Sequence, residues 1–215
     1  SPGLTPILRT GKYITTERIA QCMENQILQS QEQTQTRTPA LWRLDPAHSS
    51  AEFAVRHMMV ATVKGSFKTL SGTIGLDEAH PANSKVDVEI EAATIDTGVP
   101  DRDAHLRSPD FFDVERFPKL VFRSTGIEPE GEDTGKLRGE ITIHGVTKSV
   151  TFDVTYLGEI RDPWGNRRRG YSAEATLNRK DFGMTWNMVL DAGGVLVGDK
   201  VKVAVNLEAV EQANA

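Results

Sequence analysis

The residues that could do chemistry in this 215-residue chain are first of all its five histidines. His57, His105 and His144 stand far apart in sequence, and any of them has the right side chain for a general base or a metal ligand. Metal sites ask for close ligand spacings such as HxH or HxxxH, and the sequence has neither. His48 precedes Ser49, but adjacency along the chain does not make a catalytic dyad. A nucleophilic serine is expected on a strained turn such as GxSxG, which is absent from the sequence. Each histidine is therefore read as a structural hydrogen-bonding residue, with no catalytic residue and no metal ligand assigned. Arg102-Asp103 and Arg179-Asp181 are the other candidates, as ion pairs or as holders of a ligand headgroup, and structural pairing is expected. The glycine turns in "VKGSF" and "VLDAGGVLVGDK" lack the GxxxxGK(S/T) phosphate loop. No cofactor is expected. Cys22 is the single cysteine, which excludes a disulfide within the chain and a cysteine-rich metal site.

The elements that position these residues are β-strands. "KVDVEIEA" alternates without a break, with Val86, Val88 and Ile90 on one face and Asp87 and Glu89 on the other. "SVTFDVTYLG" does the same with Val150, Phe152 and Val154 against Thr151 and Asp153. "KVKVAVNLEA" repeats the pattern with Val201, Val203, Val205 and Leu207 against Lys202 and Asn206. One dry face and one wet face mark antiparallel strands. Further strands are expected at Ser50–Val55, Gly65–Leu76, Leu120–Ile127, Lys136–Ile143 and Tyr171–Asn178. "HGVTK" and "DPWGN" read as turns between them. About eight long strands without αβ alternation predict a sandwich or a barrel, and long, uniformly apolar inner faces favour a deep barrel able to hold one elongated ligand. One connection breaks the rule that loops are polar. "DRDAHLRSPDFFDVERFP" carries Phe111 and Phe112. A short helix capped by Asp101 or Asp103 is expected there, with both rings turned inward to close the barrel mouth or to plug the core.

Composition bounds the remaining choices. The net charge of -5 argues against a nucleic-acid partner, and "RRR" at Arg167–Arg169 is read as a solvated loop. The apolar runs are far shorter than the ~20 residues a spanning helix needs, so no stable membrane insertion is expected. Residues 1–40 form a separate region. Ile19, Met23 and Ile27 make an apolar stripe on a helix from Thr16 to Ser30, followed by a Gln/Thr-rich linker. The stripe is expected to dock on the main domain or to pair with a second copy as a homodimer. With no secretory leader pattern in the sequence, a cytoplasmic location is expected, or a periplasmic or secreted one if the chain is already processed.

From Leu41 to about Val210 the chain resembles the YceI-like family of polyisoprenoid-binding proteins. The resemblance rests on "WRLDPAHS", "FAVRH", "VKGSFKTLSGTI", "IDTGVPDRDAHLRSPDFFDVERFP", "FRST", "LRGEITIHGVTKSVTFDV", "DPWGNRRRGYSAEATLNRKDFGMTW" and "VGDKVKV", in that order. It implies an all-β fold: an antiparallel, lipocalin-like β-barrel of about eight strands over 41–215. In it the "RD…HLRS…FF" segment is a helical connection against the barrel, and the interior takes a long isoprenoid chain such as a quinone tail. The first forty residues depart from the family's pattern.

Within such a barrel the strands are expected to turn Val88, Ile90, Val150, Phe152, Val154, Val203 and Val205 toward the ligand. Phe122, Ile141 and Ile143 join them from neighbouring strands, and Phe53, His57 and Phe67 from the first hairpin. Leu106, Phe111 and Phe112 come from the helical connection, and Phe182, Met184 and Trp186 from "RKDFGMTW". Each buried CH₂ contributes about 0.8 kcal/mol, so one isoprene unit would give roughly 3–4 kcal/mol gross. The leading expectation is non-catalytic binding, storage or transport of a long-chain polyisoprenoid or isoprenoid quinone. The alternatives are an enzyme acting on a lipid or quinone with His57 or His105 as acid–base, and a structural dimer whose lumen is filled by side chains.

Overall fold

The computed structural model describes residues 39–189 and 195–212. The N-terminal helix, its apolar stripe and the linker up to residue 38 lie outside the described residues. So does any pairing of copies through that helix.

Eight antiparallel strands form a closed ring. In ring order they are β1 (Ala40–Leu44), β4 (Leu70–Leu76), β5 (Lys85–Glu91), β7 (Lys119–Pro129), β8 (Thr134–Ile143), β9 (Val146–Arg161), β10 (Arg167–Asn178) and β11 (Val197–Glu211). The ring closes where Trp42 of β1 pairs with Glu211 of β11. The expected barrel of about eight strands is the observed fold. Alternation sets which face is dry: Val86, Val88 and Phe152 are buried, whereas Asp87, Asp153 and Lys202 are exposed.

Three shorter strands depart from the simple ring. β2 (Ser50–His57), β3 (Ala61–Phe67) and β6 (Ile95–Asp96) extend the sheet from the other length of β11. β2 continues β1 after the turn at Asp45–His48, and β11 pairs with both of them. β3 and β4 are parted only by Lys68 and Thr69, so the expected single strand Gly65–Leu76 is two. β5 and β6 are parted by one 3₁₀ turn, Ala92–Thr94. Three neighbouring strands therefore break at one level. The Thr94 hydroxyl holds the break: it accepts from the Lys68 and Thr69 amides at 3.2 Å each and donates to the Glu91 carbonyl at 2.6 Å.

Beyond the break β6 pairs only with β3 among the described strands, and helix α1 (Pro100–Arg107) with the turns after it packs beside β6. Arg107 ties the helix to the sheet by donating to the carbonyls of Ala93 and Ile95. The helix starts with Val99 at its N-cap and Pro100 in its first turn, not with an aspartate cap. Pro at the first helical position has its φ preset for the helix and leaves no intrahelical bond unmade. Asp103 instead reaches back and accepts from the amide and hydroxyl of Thr97, while Arg102 donates to the same threonine. The expected Arg102–Asp103 ion pair is thus replaced by a shared grip on Thr97.

Two hairpin turns need the left-handed backbone. His144 and Gly145 both have positive φ, of 51° and 73°, the geometry of a tight turn between β8 and β9. A Cβ on Gly145 would lie 2.4 Å from the Phe117 ring, so the ring's position also requires glycine.

Candidate functional site

Among the described residues the dry faces line an apolar cavity of about 190 Å³. β5 contributes Val86, Val88 and Ile90, β7 contributes Leu120 and Phe122, and β8 contributes Leu137, Ile141 and Ile143. Phe152 stands on β9, Ala173 and Leu177 on β10, and Val197, Val201, Val203, Val205 and Leu207 on β11. Phe122 and Phe152 meet edge to face at 5.4 Å, the arrangement that aromatic quadrupoles favour. For comparison, an engineered apolar cavity of about 150 Å³ stays dry and accepts benzene.

Phe111 and Phe112 both line this space, with Leu106 of α1 beside them. The Phe112 ring meets Phe67 edge-on at 5.6 Å, and Phe67 meets Phe53 at 5.9 Å. Phe111 is buried and packs 5.4 Å from Trp186. The two rings thus form a wall of the lumen where β2, β3 and β6 leave the ring of strands. Phe182 and Met184 complete that wall from the segment after β10. Arg179 pins the segment down: its guanidinium donates to the carbonyls of Met184, Trp186, Val197 and Gly198. Its carboxylate partner is Asp199 at 3.4 Å, in place of the expected Asp181.

Four residues expected in the lumen stand outside the cavity wall. His57 ends β2, two positions beyond the lining residue Val55, where it pairs with Ala61 and Val197. Val150 is opposite Gly139, where the Phe122 ring takes the available space: a Cβ on Gly139 would lie 2.4 Å from it. Val154, opposite Gly135 and Ala173, packs against the core cluster without lining the cavity. Trp186 packs on Phe111 and on His105, whose ring centroid is 4.7 Å away. Leu137 and Leu177 were missed because each is a lone leucine in a polar stretch, "GKLRGE" and "EATLN".

The arginines of "RRR" open β10, and each is held by carboxylates. They do not form a solvated loop. Arg167 and Arg169 share one face of the strand and flank the buried Trp42 ring, their guanidinium carbons 5.4 and 4.7 Å from its centroid. Both also donate to Glu159. Arg167 and then Arg169 hold that carboxylate down from its ordinary 4.5 to about 2. Arg168, on the other face, bonds Asp45, Asp162 and Glu208. Asp45, His48 and Glu208 bring three potential metal-ligand atoms together. The Arg168 guanidinium already supplies the cation there, 2.7 Å from Asp45 and 2.5 Å from Glu208. Hydrogen bonds from His48 first and from Arg168 second hold Asp45 at about 2.

The other histidines also have local roles. His144 Nδ1 donates to the Phe182 carbonyl at 3.1 Å, fastening the segment after β10 to the β8–β9 turn. His105 Nε2 lies 2.9 Å from Asp110 on the outer side of the aromatic wall.

A closed antiparallel ring around an apolar lumen, with a helical connection forming part of its wall, defines a lipocalin-like barrel. The chain belongs to the YceI-like family, whose domain model matches residues 42–209. It is 36% identical to Protein YceI of Salmonella newport over 165 residues, which cover 77% of this chain and 83% of that protein. It is 39% identical to a UPF0312 protein of Pseudomonas savastanoi pv. phaseolicola over 137 residues, 64% of this chain and 71% of the relative. Among solved structures, a Campylobacter jejuni YCEI protein superposes with a TM-score of 0.62 at 29% identity, covering 74% of this chain and 90% of that one. A polyisoprenoid binding domain from Saccharophagus degradans shares the fold, with a TM-score of 0.59 at 16% identity over 81% of this chain and 99% of that domain.

Proposed function

We propose that the barrel binds a long-chain polyisoprenoid or isoprenoid quinone in its lumen, as a non-catalytic carrier or store. The observation that carries this reading is the lumen itself: a space lined almost wholly by apolar side chains from six of the eight ring strands, β5 and β7 to β11, and from β2, β3 and the helical connection. Its ionisable wall residues are Glu52 and Arg179. Glu52 is exposed, and its carboxylate accepts from Ser50; Arg179 spends its donors on backbone carbonyls. Neither is placed as an acid–base pair facing the lumen. Affinity would come from apolar burial along the tail, at about 0.8 kcal/mol gross per CH₂. The YceI-like family and the polyisoprenoid binding domain that shares the fold support the same ligand class.

The test is lipid retention after substitution at Phe152, which is buried, central in β9 and packed on Phe122. Phe152→Asp puts an unpaired carboxylate in the path of the tail and is expected to abolish binding. Phe152→Leu keeps the lumen apolar and should retain most of it. Removing a buried Phe typically costs about 3–5 kcal/mol, so each variant is first checked for its fold by circular dichroism. Native mass spectrometry with lipid extraction then measures the bound lipid. A folded Phe152→Asp protein with a full complement of lipid refutes the lumen reading. Loss of lipid turnover in His57→Gln or His105→Gln, with lipid still bound, would establish an enzyme instead.

A further inference from the structure

We propose that the β2–β3 turn and the neighbouring residues Met188 and Val189 form a bilayer-docking rim, through which the lumen exchanges its lipid with an anionic phospholipid membrane. The proposal rests on the lumen reading above for the nature of the cargo, and on the following geometry for the docking.

The two segments are joined by their backbones. The Met58 amide donates to the Leu196 carbonyl at 2.9 Å, and the Leu196 amide to the Met188 carbonyl at 2.9 Å. Together they expose Met58, Met59, Val60, Met188 and Val189, with Val60 and Val189 about as open as side chains can be, at 81% and 80%. Scattered single apolar residues on a surface need no explanation, but five gathered on two bonded stretches do. Met58 and Met59 also both take positive φ, 50° and 61°, in a tight turn that Asn-Gly fills with less strain. Long, adaptable apolar side chains thus occupy a turn whose backbone favours small polar residues.

The rim continues the cavity wall. Val55 and Val197 line the lumen, and Val197 pairs with His57, the residue before Met58. A tail leaving the lumen here meets the exposed tips within a few residues of the wall. The charge distribution selects the partner. Arg56 donates to the Met59 carbonyl at 2.9 Å, which fixes a guanidinium at the tip, and Lys64 follows on β3. No Asp or Glu occurs from His57 to Gly65 in a chain whose net charge is -5. The second segment carries Asp191, which lies outside the described residues; Asp199 on β11 is held by Lys180 at 2.9 Å and Arg179 at 3.4 Å. Exposed apolar side chains beside the fixed Arg56 guanidinium suit an anionic headgroup layer, with the side chains reaching roughly 5–10 Å to the acyl boundary. This is surface docking, and nothing in it spans the bilayer. The tail then passes from bilayer to lumen without crossing water.

The test uses the full chain and vesicles of phosphatidylcholine with or without phosphatidylglycerol. Wild type should co-sediment with vesicles, and more so with the anionic lipid. A Met59→Asp/Val60→Asp double variant changes only exposed side chains and should lose at least about tenfold in partitioning. Its equilibrium binding of a fluorescent polyprenyl probe in buffer should stay unchanged, while probe transfer between vesicles slows in parallel with partitioning. Arg56→Gln should remove only the phosphatidylglycerol increment. Equal partitioning of the double variant overturns the docking proposal, as does wild type that binds the probe but no vesicle. A dimer in solution that the double variant splits also overturns it, by showing that the rim faces a second copy. Wild type that docks on vesicles but takes no probe upholds docking and refutes the lumen reading.

Discussion

Glu159 and Asp45 show at single residues how the polar end of the barrel is held. Both ionise more readily in the folded protein than their ordinary values of 4.5 and 3.8 allow, and both sit at about 2. A depressed carboxylate stabilises the fold fully above its unfolded value and loses that contribution as pH falls toward its folded value. The urea midpoint is therefore expected to fall between about pH 4.5 and pH 2 as these groups take up protons. Arg167→Gln removes the main cause of the Glu159 shift, so the gap between wild type and this variant should close over the same interval. A gap that stays constant down to pH 2 would show that the pair contributes nothing pH-dependent. His48 has the opposite sign. Its value is raised above 6.5, chiefly by the hydrogen bond to Asp45 and then by that residue's charge. Its contribution is present below pH 6.5 and fades as pH rises through the raised value. Solvent exposure makes this second limb shallow.

At the scale of elements, the breaks between β3 and β4 and between β5 and β6 are tied together by one side chain, Thr94. Thr94→Val keeps the shape but removes the acceptor for the Thr69 amide and the donor to the Glu91 carbonyl. The expected cost is about 1–3 kcal/mol in urea unfolding, with Thr94→Ser close to wild type. Equal stability of the valine variant would show that water replaces the hydroxyl. This break also marks where sequence reading stopped. Val86 to Ile90, Phe152 and Val201 to Leu207 announce their inner faces by alternation alone, and the barrel follows from them. The gap at Lys68–Thr69 leaves no local trace, because its partner Thr94 belongs to a different strand pair. The same holds for "RRR", whose carboxylates Asp45, Glu159 and Glu208 come from β9, β11 and the turn after β1. Val150 alternates correctly, yet the Phe122 ring occupies the space it would have reached. Alternation gives a side chain's direction, and only packing decides whether open volume lies in front of it.

For the whole molecule, the seam between β1 and β11 has a consequence for how the chain folds. Trp42, Arg43 and Leu44 pair with Glu211, Val210 and Ala209, so the first and last described strands must find each other across the full length of the barrel. Every other junction of the ring joins strands much nearer in sequence. Loop-closure entropy opposes so distant a pairing until the intervening hairpins have formed, so closure is expected late in folding. Leu44 is buried at this seam, and Leu44→Ala should cost about 2–5 kcal/mol. Chevron analysis should place most of that cost in faster unfolding, with the refolding rate little changed. A refolding rate that drops in proportion to the lost stability would mean that the seam belongs to the nucleus. Since the Gln212 amide donates to the Leu41 carbonyl at 2.8 Å, the two edges of the seam lie close enough for a short linker to join them. A chain permuted in that way, and opened in the exposed turn at Gly131–Asp133, would turn the slowest pairing of the barrel into a hairpin and hand the late step to β7 and β8.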